Sequence, residues 1–351
     1  MICQQADIDF VSLHFILFAL LADLEFRNTL LLFQLLSKPL KVIVVTRAGY
    51  IKRMELKAFE SRKRGTKGKQ GSSLGDEVVH CLTCNDHDTI LMVSQTGVVR
   101  GLKAYQIPTA SLLAKGTTLH SVLSTDIGES VTSMLAVTKF TEEEYLTLTT
   151  KQGMIKRFPL KELEKITARG KKVVSLNEGD RLLWADKCTN DDEILIGSSR
   201  GRATRFEASA LRPTGRSSKG VRSMSLNPGD SIASMNILRA DQSDNKSFVL
   251  IITEQGYGKR VSTDEFKPLG RPCKGVIAIK FDESKKEDNV EAFLVVQEED
   301  EVLISTSKGV MVRQKVSGIS SFGRMAKGAL VQKLNDPDKI TSISIVPAEA
   351  K

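Results

Sequence analysis

The feature that most constrains the fold is a short hairpin motif, built around one glycine, that occurs six times along the chain. In the first copy it reads Val45-Thr46-Arg47-Ala48-Gly49-Tyr50-Ile51-Lys52-Arg53. The turn glycines are Gly49, Gly97, Gly153, Gly201, Gly256 and Gly309, at steps of 48, 56, 48, 55 and 53 residues. Self-similarity at a period of about 50 residues is typical of repeat architectures, so one large repeat domain is predicted rather than two unlike domains.

Two further landmarks keep the same register in the copies. A basic residue followed by glycine closes a long loop 19 residues after the turn glycine in five copies and 17 residues after it in the third. These pairs are Lys67-Gly68, Lys115-Gly116, Arg169-Gly170, Lys219-Gly220, Lys274-Gly275 and Lys327-Gly328. An apolar residue then leads into an acidic turn, as in Leu226-Asn227-Pro228-Gly229-Asp230, although the fifth copy departs with Lys280-Phe281-Asp282-Glu283. Such regular offsets indicate that the copies share one fold.

Each copy contains the signals of four β-strands. A β-branched run such as Phe248 to Ile252 predicts a buried strand before the turn, and the residues after the glycine alternate in polarity. The glycine ends the hairpin loop in a left-handed conformation that only glycine adopts without strain. A long loop, a short strand such as Val173 to Leu176, the acidic turn and a strand such as Arg181 to Ala185 complete the copy. Six four-stranded copies predict an all-β, propeller-like ring whose closure protects the sheet edges.

Residues 1–40 do not follow this pattern. The run from Phe10 to Ala22 is mostly apolar, but the charges of Asp23 and Glu25 end it short of the roughly 20 residues that a membrane-spanning helix needs. No basic cluster precedes the run, as one would in a secretory signal peptide. We therefore predict an appended apolar segment over residues 1–40, helical or poorly ordered, with a membrane anchor as the less favoured interpretation. A six-bladed domain is predicted over residues 41–351.

The charge distribution favours a polyanionic partner. The chain has a net charge of +9, and residues 1–40 contribute −2, so the repeats carry 49 basic and 38 acidic residues, an excess of +11. A basic excess confined to the folded part indicates nucleic acid first, with solubility as the alternative explanation. The five cysteines are scattered and odd in number, which is typical of a reducing compartment rather than a disulfide framework.

No arrangement of residues indicates catalysis or a cofactor. Four residues resemble half of a zinc site: His80, Cys81, Cys84 and His87. A structural zinc site needs a second pair of ligands, so the end of a strand explains them better. The run Asp191-Asp192-Glu193 could hold a metal, but a solvated turn is the favoured explanation. The glycine-rich basic stretches lack the spacing of a phosphate-binding loop. The sequence predicts a binding protein with no catalytic residue, no metal and no cofactor.

The basic residues fall into two repeated sets. One set follows the turn glycines and comprises Lys52, Arg53, Arg100, Lys156, Arg157, Arg202, Arg205, Lys259, Arg260 and Arg313. The other lies in the long loops, where three copies repeat Gly-Arg-x-x-Lys-Gly with Arg216 and Lys219, Arg271 and Lys274, and Arg324 and Lys327. A ring with the same basic loop on successive blades presents charges at regular intervals, as a curved duplex presents its phosphates. Because glycines let a backbone approach a phosphate closely, we favour DNA over a merely solvated surface.

These motifs together resemble the C-terminal DNA-wrapping domain of the DNA gyrase A subunit, a six-bladed β-pinwheel. The hallmark box of that family, Gln-Arg-Arg-Gly-Gly-Lys-Gly, lies in the long loop of the first blade. In this chain that loop reads Arg62-Lys63-Arg64-Gly65-Thr66-Lys67-Gly68, which matches at Arg64, Gly65, Lys67 and Gly68. Arg62, Lys63 and Thr66 replace the glutamine, an arginine and a glycine. The resemblance covers Lys41 to about Val346.

The resemblance implies that the chain binds and wraps double-stranded DNA as the non-catalytic domain of an ATP-dependent type II topoisomerase that supercoils DNA. The DNA-binding residues would be Arg62, Lys63, Arg64, Gly65, Lys67 and Gly68, with Arg216, Lys219, Arg271, Lys274, Arg324 and Lys327. The implied protein partners are the B subunit of gyrase and the catalytic part of its A subunit. The family's cleavage tyrosine lies in a separate N-terminal domain, so the chain on its own is not expected to be an enzyme.

These expectations leave alternatives open. The equivalent domain of topoisomerase IV is related and has a more degraded box, and a propeller that binds peptides is the rival from another functional class. The unusual first 40 residues suggest a truncated gyrase polypeptide or an incorrectly assembled gene product, such as that of a plant organellar gyrase. The expected location is soluble and nucleoid-associated: a plastid or mitochondrion in a eukaryote, or the cytoplasm in a bacterium.

Overall fold

A computed structural model describes residues 41–55, 78–111, 114–123, 129–242, 247–281, 288–308 and 310–346. The predicted appended segment and the box loop lie outside the described residues. Within them, the chain forms six antiparallel sheets, five of four strands and one of three. The six-bladed all-β prediction is confirmed. No helix in the described part is long and apolar enough to cross a membrane.

From the innermost to the outermost strand, the first three sheets consist of β3 (Val78–Cys84), β1 (Lys41–Thr46), β2 (Tyr50–Glu55) and β6 (Thr117–Thr118); β7 (Val131–Val137), β4 (Thr89–Ser94), β5 (Val98–Lys103) and β10 (Lys171–Lys172); and β11 (Leu182–Cys188), β8 (Tyr145–Thr150), β9 (Met154–Pro159) and β14 (Val221–Arg222). In the same spatial order, the last three are β15 (Ile232–Leu238), β12 (Glu193–Ser198), β13 (Arg202–Glu207) and β18 (Val276–Ile277); β19 (Val290–Gln297), β16 (Ser247–Thr253), β17 (Tyr257–Ser262) and β22 (Ala329–Leu330); and β23 (Ile340–Val346), β20 (Glu301–Thr306) and β21 (Met311–Lys315).

Short helical turns connect the strands. The one α-helical turn of the described chain is α1 (Leu119–Val122). A 3-10 turn follows the second hairpin strand in five copies, at Ala104–Gln106, Leu160–Leu163, Ala208–Ala210, Thr263–Glu265 and Val316–Gly318, and another lies at Ala240–Gln242.

Each four-stranded sheet combines three strands of its own copy with one strand of the next. The hairpin β1–β2 pairs with β3 on one side, and on the other β2 pairs with β6, which belongs to the long loop of the second copy. The strands β10, β14, β18 and β22 are exchanged in the same way. The prediction that every copy supplies all four strands of its own sheet is therefore wrong. In the third copy the short strand is also Lys171–Lys172 rather than Val173 to Leu176.

The exchange satisfies backbone groups that would otherwise face solvent along the outer hairpin strand. In the sixth sheet, β21 is the outermost of the described strands. By the same rule its partner would come from the long loop of the first copy, which the structure does not describe.

The hydrophobic core lies between neighbouring sheets. The central strand of a sheet is buried on both faces, and its alternate residues pack against different copies. In β4, Ile90 and Met92 pack with the first copy, whereas Leu91 and Val93 pack with the third. The inner strands β3, β7, β11, β15, β19 and β23 contact one another in that order. No blade thus has a core of its own, which explains why the copies fold as one domain.

Each hairpin turn is held by a glycine and by a carboxylate. Gly49, Gly97, Gly153, Gly201 and Gly256 have φ between 78° and 85°, as predicted, and Gly309 lies outside the described residues. An acidic side chain of the same copy accepts a backbone N–H of the turn: Asp180 from Gln152 at 3.0 Å, Asp230 from Arg200 at 3.0 Å, Asp288 from Gln255 at 3.1 Å and Asp338 from Lys308 at 3.0 Å. The fifth copy therefore keeps the interaction, through Asp288, although its sequence motif departs from the others.

Candidate nucleic-acid interface

The long basic loops lie on the outer edge of the ring, because each supplies the outermost strand of the preceding sheet. In the last three copies these strands are β14, β18 and β22, which directly follow the three predicted Arg/Lys pairs. We call these six residues the rim set: Arg216, Lys219, Arg271, Lys274, Arg324 and Lys327. The fold places each pair on one loop and the three pairs on successive blades.

The rim lysines are presented in two ways. Lys219 and Lys274 are exposed to solvent. Lys327 is half-buried, and its Nζ lies 4.5 Å from the centre of the Tyr257 ring. Lys115, at the equivalent position in the second copy, lies 4.1 Å from the centre of the Tyr50 ring. Such cation–π contacts restrain the lysine while leaving its charge at the surface.

The rim arginines contact the neighbouring blade. Arg216 forms an ion pair of 3.0 Å with Glu162. Arg271 stacks 5.0 Å from the centre of the Phe206 ring and donates to the carbonyl of Ala210. Burial, together with the positive charge of Arg157, lowers the pKa of Arg271. The backbone N–H of Arg324 donates to Glu265 at 3.0 Å. The arginines thus fix the loops to the ring, while the lysines extend further into solvent.

On sequence alone, the residues after the turn glycines are equally good candidates for a solvent-facing basic surface, but the structure buries most of them. Eight of them form what we call the interface set: Lys52, Arg53, Arg100, Lys156, Arg157, Arg205, Lys259 and Arg260. Six of these are buried, and Arg53 and Arg205 are half-buried. Their charges serve contacts between copies rather than contacts with an external polyanion.

The arginine four residues after the turn glycine clamps the following copy. It donates to the carbonyl of the residue that ends the next 3-10 turn: Arg53 to Ile107 at 3.1 Å, Arg157 to Leu211, Arg205 to Phe266 at 3.2 Å and Arg260 to Ile319 at 2.6 Å. The second copy has Gly101 at this position. A Cβ there would lie 2.2 Å from a side-chain carbon of Ile166, so packing replaces the clamp.

Burial perturbs the lysines of the interface set. It lowers the pKa of Lys156 to about 8, against the opposing effect of nearby Glu162. It lowers the pKa of Lys259 to about 8 as well, where Glu265 opposes the shift and Arg324 adds to it. The pKa of Lys52 is also lowered by burial. These are the shifts expected when an ammonium group is removed from water.

The glycine that closes each long loop is required by packing between copies. A Cβ at Gly116, Gly220, Gly275 or Gly328 would lie 2.4 to 2.6 Å from a backbone carbonyl oxygen of the preceding hairpin. The expectation that these glycines make room for a phosphate is therefore wrong. The first glycine of the loop differs, because a Cβ at Gly215 or Gly270 would meet no atom within 4 Å.

The candidates for chemistry have ordinary structural roles. In the described part of the chain, no group of three His, Cys, Asp or Glu side chains is arranged to hold a metal ion. His80 Nε2 lies 3.0 Å from the carbonyl of Val131, and burial raises the pKa of the Cys84 thiol to about 11. Asp192 accepts the backbone N–H groups of Thr189 at 2.8 Å and Ala240 at 3.0 Å. These side chains organise loops and strand ends.

The predicted box lies outside the described residues. Its members Arg62, Lys63, Arg64, Gly65, Lys67 and Gly68 therefore stay a prediction from the sequence. The sequence did not indicate which basic residues are buried, because the groups that bind them are backbone carbonyls of another copy.

A family model described as "DNA gyrase C-terminal domain, beta-propeller" matches residues 40–85, 144–189, 192–239, 247–297 and 300–347. The second copy falls between the matched segments, and it is also the copy with glycine in place of the clamping arginine.

Related proteins are similar over most of this chain. The DNA gyrase A subunit of Synechocystis is 37% identical over 344 residues, covering 89% of this chain, and that of Staphylococcus epidermidis strain ATCC 12228 is 33% identical over 311 residues, covering 88%. The chain spans 40% and 34% of the length of these two relatives. A solved DNA gyrase A C-terminal domain superposes with a TM-score of 0.70 at 28% identity, covering 87% of this chain and 99% of that one. A topoisomerase IV C-terminal domain has a TM-score of 0.74 at 21% identity, covering 88% and 94%, and shows the shared fold.

Proposed function

Because this chain belongs to the family of DNA gyrase C-terminal domains, we propose that it binds duplex DNA along its outer rim and bends the duplex around the ring. The observation that carries the proposal is the repetition of the rim set. Three successive blades present an arginine and a lysine at equivalent places on the outer edge, next to the exchanged strand. A duplex that follows the rim would meet the same pair of charges at each blade.

The binding would be electrostatic. Lysine and arginine side chains neutralise phosphates and release counterions, with little reading of the base sequence. The interface set supports this role indirectly, because its clamps fix each loop relative to the next blade. A rigid curved rim matters because bending a duplex costs several kcal/mol for 20 to 30 bp by elastic estimates, which many phosphate contacts must offset.

We further propose that the chain acts as part of a gyrase A subunit. DNA supercoiling would then require, as partners, the B subunit of gyrase and the catalytic part of its A subunit. The wrapping role itself uses no catalytic residue, cofactor or metal of this chain. It would place the protein on the nucleoid of its compartment.

The proposal is tested by two measurements on the same protein. Affinity for a duplex of about 100 bp should fall steeply with salt concentration, because each phosphate contact contributes about 0.9 to the slope of log K against log salt. Ligation of a nicked plasmid in the presence of the protein should shift the linking number. Binding that is insensitive to salt, with no linking-number shift, would instead support a propeller that binds peptides.

The box makes a separate prediction about wrapping. Replacing Arg62, Lys63, Arg64 and Lys67 together with alanine removes four charges from one six-residue stretch. If this loop holds the end of the wrap, the linking-number shift should collapse while most of the affinity remains. The control is replacement of Arg271 and Lys274, which should lower affinity in proportion to charge and only reduce the shift. Equal effects per charge in both variants would show that the box is one more basic patch.

A further inference from the structure

Two of the basic loops are built over a lysine that solvent does not reach. Lys156 and Lys259, each the third residue after a turn glycine, are 1% and 0% exposed. Lys156 Nζ donates to four backbone carbonyls: those of Val173 at 3.0 Å, Gly215 at 2.7 Å, Arg216 at 2.8 Å and Ser218 at 3.3 Å. Three of the four acceptors belong to the loop of the next copy, which carries Arg216 and Lys219.

The same arrangement recurs two blades later. Lys259 Nζ donates to the carbonyls of Gly323 at 2.8 Å, Arg324 at 2.6 Å and Ala326 at 2.7 Å. These acceptors occupy the same places in Gly-Arg-x-x-Lys-Gly as Gly215, Arg216 and Ser218. A lysine ammonium has three donors and no acceptor, so three inward carbonyls satisfy it. The loop backbone is therefore folded around a buried charge.

The fifth loop is held in another way, and this provides a natural comparison. The residue at the lysine position is Thr204, whose Oγ1 lies 3.1 Å from the Sγ of Cys273. Arg202 donates instead to the carbonyls of Lys274 at 2.7 Å and Gly275 at 2.8 Å. The loop sequence Gly-Arg-x-x-Lys-Gly is thus compatible with two supports, and only one of them places a charge inside the loop.

We infer that Lys156 and Lys259 are positioning residues for DNA binding: each sets the shape of the next copy's basic loop, and thereby its phosphate contacts, without touching DNA. The inference rests on the proposed DNA binding for its consequence, but the loop-shaping role stands on geometry alone. Losing the ammonium leaves several inward carbonyls without donors, and the loop must rearrange to satisfy them. One buried substitution should therefore disable both rim residues of its loop.

The decisive measurement is the salt dependence of duplex binding in a mutant cycle. Lys156→Met removes a buried charge that cannot contact a phosphate, yet it should lower the salt slope by about 1.8, the loss of two contacts. Combined replacement of Arg216 and Lys219 with methionine should lower it by the same amount, and adding Lys156→Met to that pair should change it no further. Thr204→Val, at the matched position of the next hairpin, should leave the slope unchanged.

An independent readout does not involve DNA. Trypsin should cut after Arg216 or Lys219 faster in Lys156→Met than in wild type, under conditions where both melt cooperatively. Lys156→Arg, which retains donors and charge, should restore slow cutting and the wild-type salt slope. If Lys156→Met does not fold, Lys259→Met tests the same role on Arg324 and Lys327, and Lys156→Gln retains one donor pair in the original loop.

An unchanged salt slope with wild-type trypsin resistance would overturn the inference. So would a triple variant whose effects add, because that would show that Lys156 acts separately from the rim pair. Failure of the proposed function looks different: the wild-type protein would not bind duplex DNA in a salt-dependent way, whereas the trypsin comparison would still decide whether Lys156 shapes the loop.

Discussion

The rim set and the interface set contain the same residue types, repeat with the same period and lie at most about twenty residues apart in each copy, yet they occupy opposite environments. Lys219 is exposed, whereas Lys156, which supports its loop, is 1% exposed. The difference arises from the acceptors: interface cations face backbone carbonyls that another copy leaves unpaired, and rim cations face solvent. A repeated basic residue in a ring protein is thus evidence for DNA contact only after its backbone surroundings are known.

The largest effect that separates the two sets should be on stability. Arg260→Met removes donors to the carbonyls of Ile319 and Ser317 and an ion pair of 3.2 Å with Glu298. Losing charged hydrogen bonds at a buried site should lower the free energy of unfolding by about 2–4 kcal/mol. Lys274→Met, an exposed member of the rim set, should change it by less than about 0.5 kcal/mol. Urea unfolding of the two variants measures the contrast, and equal losses would erase the distinction between the sets.

The next effect should be on DNA binding and should have the opposite distribution. Replacing Lys219, Lys274 and Lys327 together with methionine should lower the salt slope of duplex binding by about 2.7, since each phosphate contact contributes about 0.9. The urea midpoint should barely move, because two of the three side chains are exposed and the third only rests on Tyr257. A variant with an unchanged salt slope would show that DNA does not follow these three loops.

Much of the fold follows from local sequence. The turn glycines have no Cβ and take positive φ, and a period of about 50 residues with β-branched runs specifies small antiparallel sheets. Charge and spacing also marked the loops that carry Arg216, Lys219 and their equivalents. These features depend on residues close in sequence, so the pattern itself contains the information.

The rest depends on contacts between copies. Strand exchange pairs Val221 with Ile155, 66 positions earlier, and both lie in short apolar stretches that would fit either copy. The acceptors of Lys156 are backbone carbonyls, which every residue has, so no side-chain pattern reveals them. Asp288 was missed because it occupies the role of the acidic turn without its flanking motif.

The smallest expected effect is a pH dependence of stability that belongs to the interface lysines. Lys156 and Lys259 have an ordinary pKa of 10.5, which burial lowers to about 8 in the folded protein. Between about pH 8 and 10.5 the unfolded chain therefore binds more protons than the folded chain, so these two groups make the free energy of unfolding rise with pH. Glu291 acts in the opposite direction below this window. Burial raises its pKa from 4.5 to about 8, so its contribution is lost as pH rises towards 8.

Other groups titrate in the alkaline range, including Cys84, whose raised pKa of about 11 makes stability fall with pH above 9. The test is therefore a difference: the urea stability of wild type minus that of the Lys156→Met/Lys259→Met double variant, at pH 7, 8, 9 and 10. The cysteines are common to both proteins and cancel. The difference should be constant up to about pH 8 and then shift in favour of wild type, because only wild type relieves the cost of burying two ammonium groups by releasing their protons. A rim double variant, Lys219→Met/Lys274→Met, should show no such shift, since its lysines are exposed in the folded protein as well. A flat difference for the interface pair would mean that the loop carbonyls fully compensate the lost hydration of Lys156 and Lys259, and the two sets would then differ in position but not in electrostatic cost.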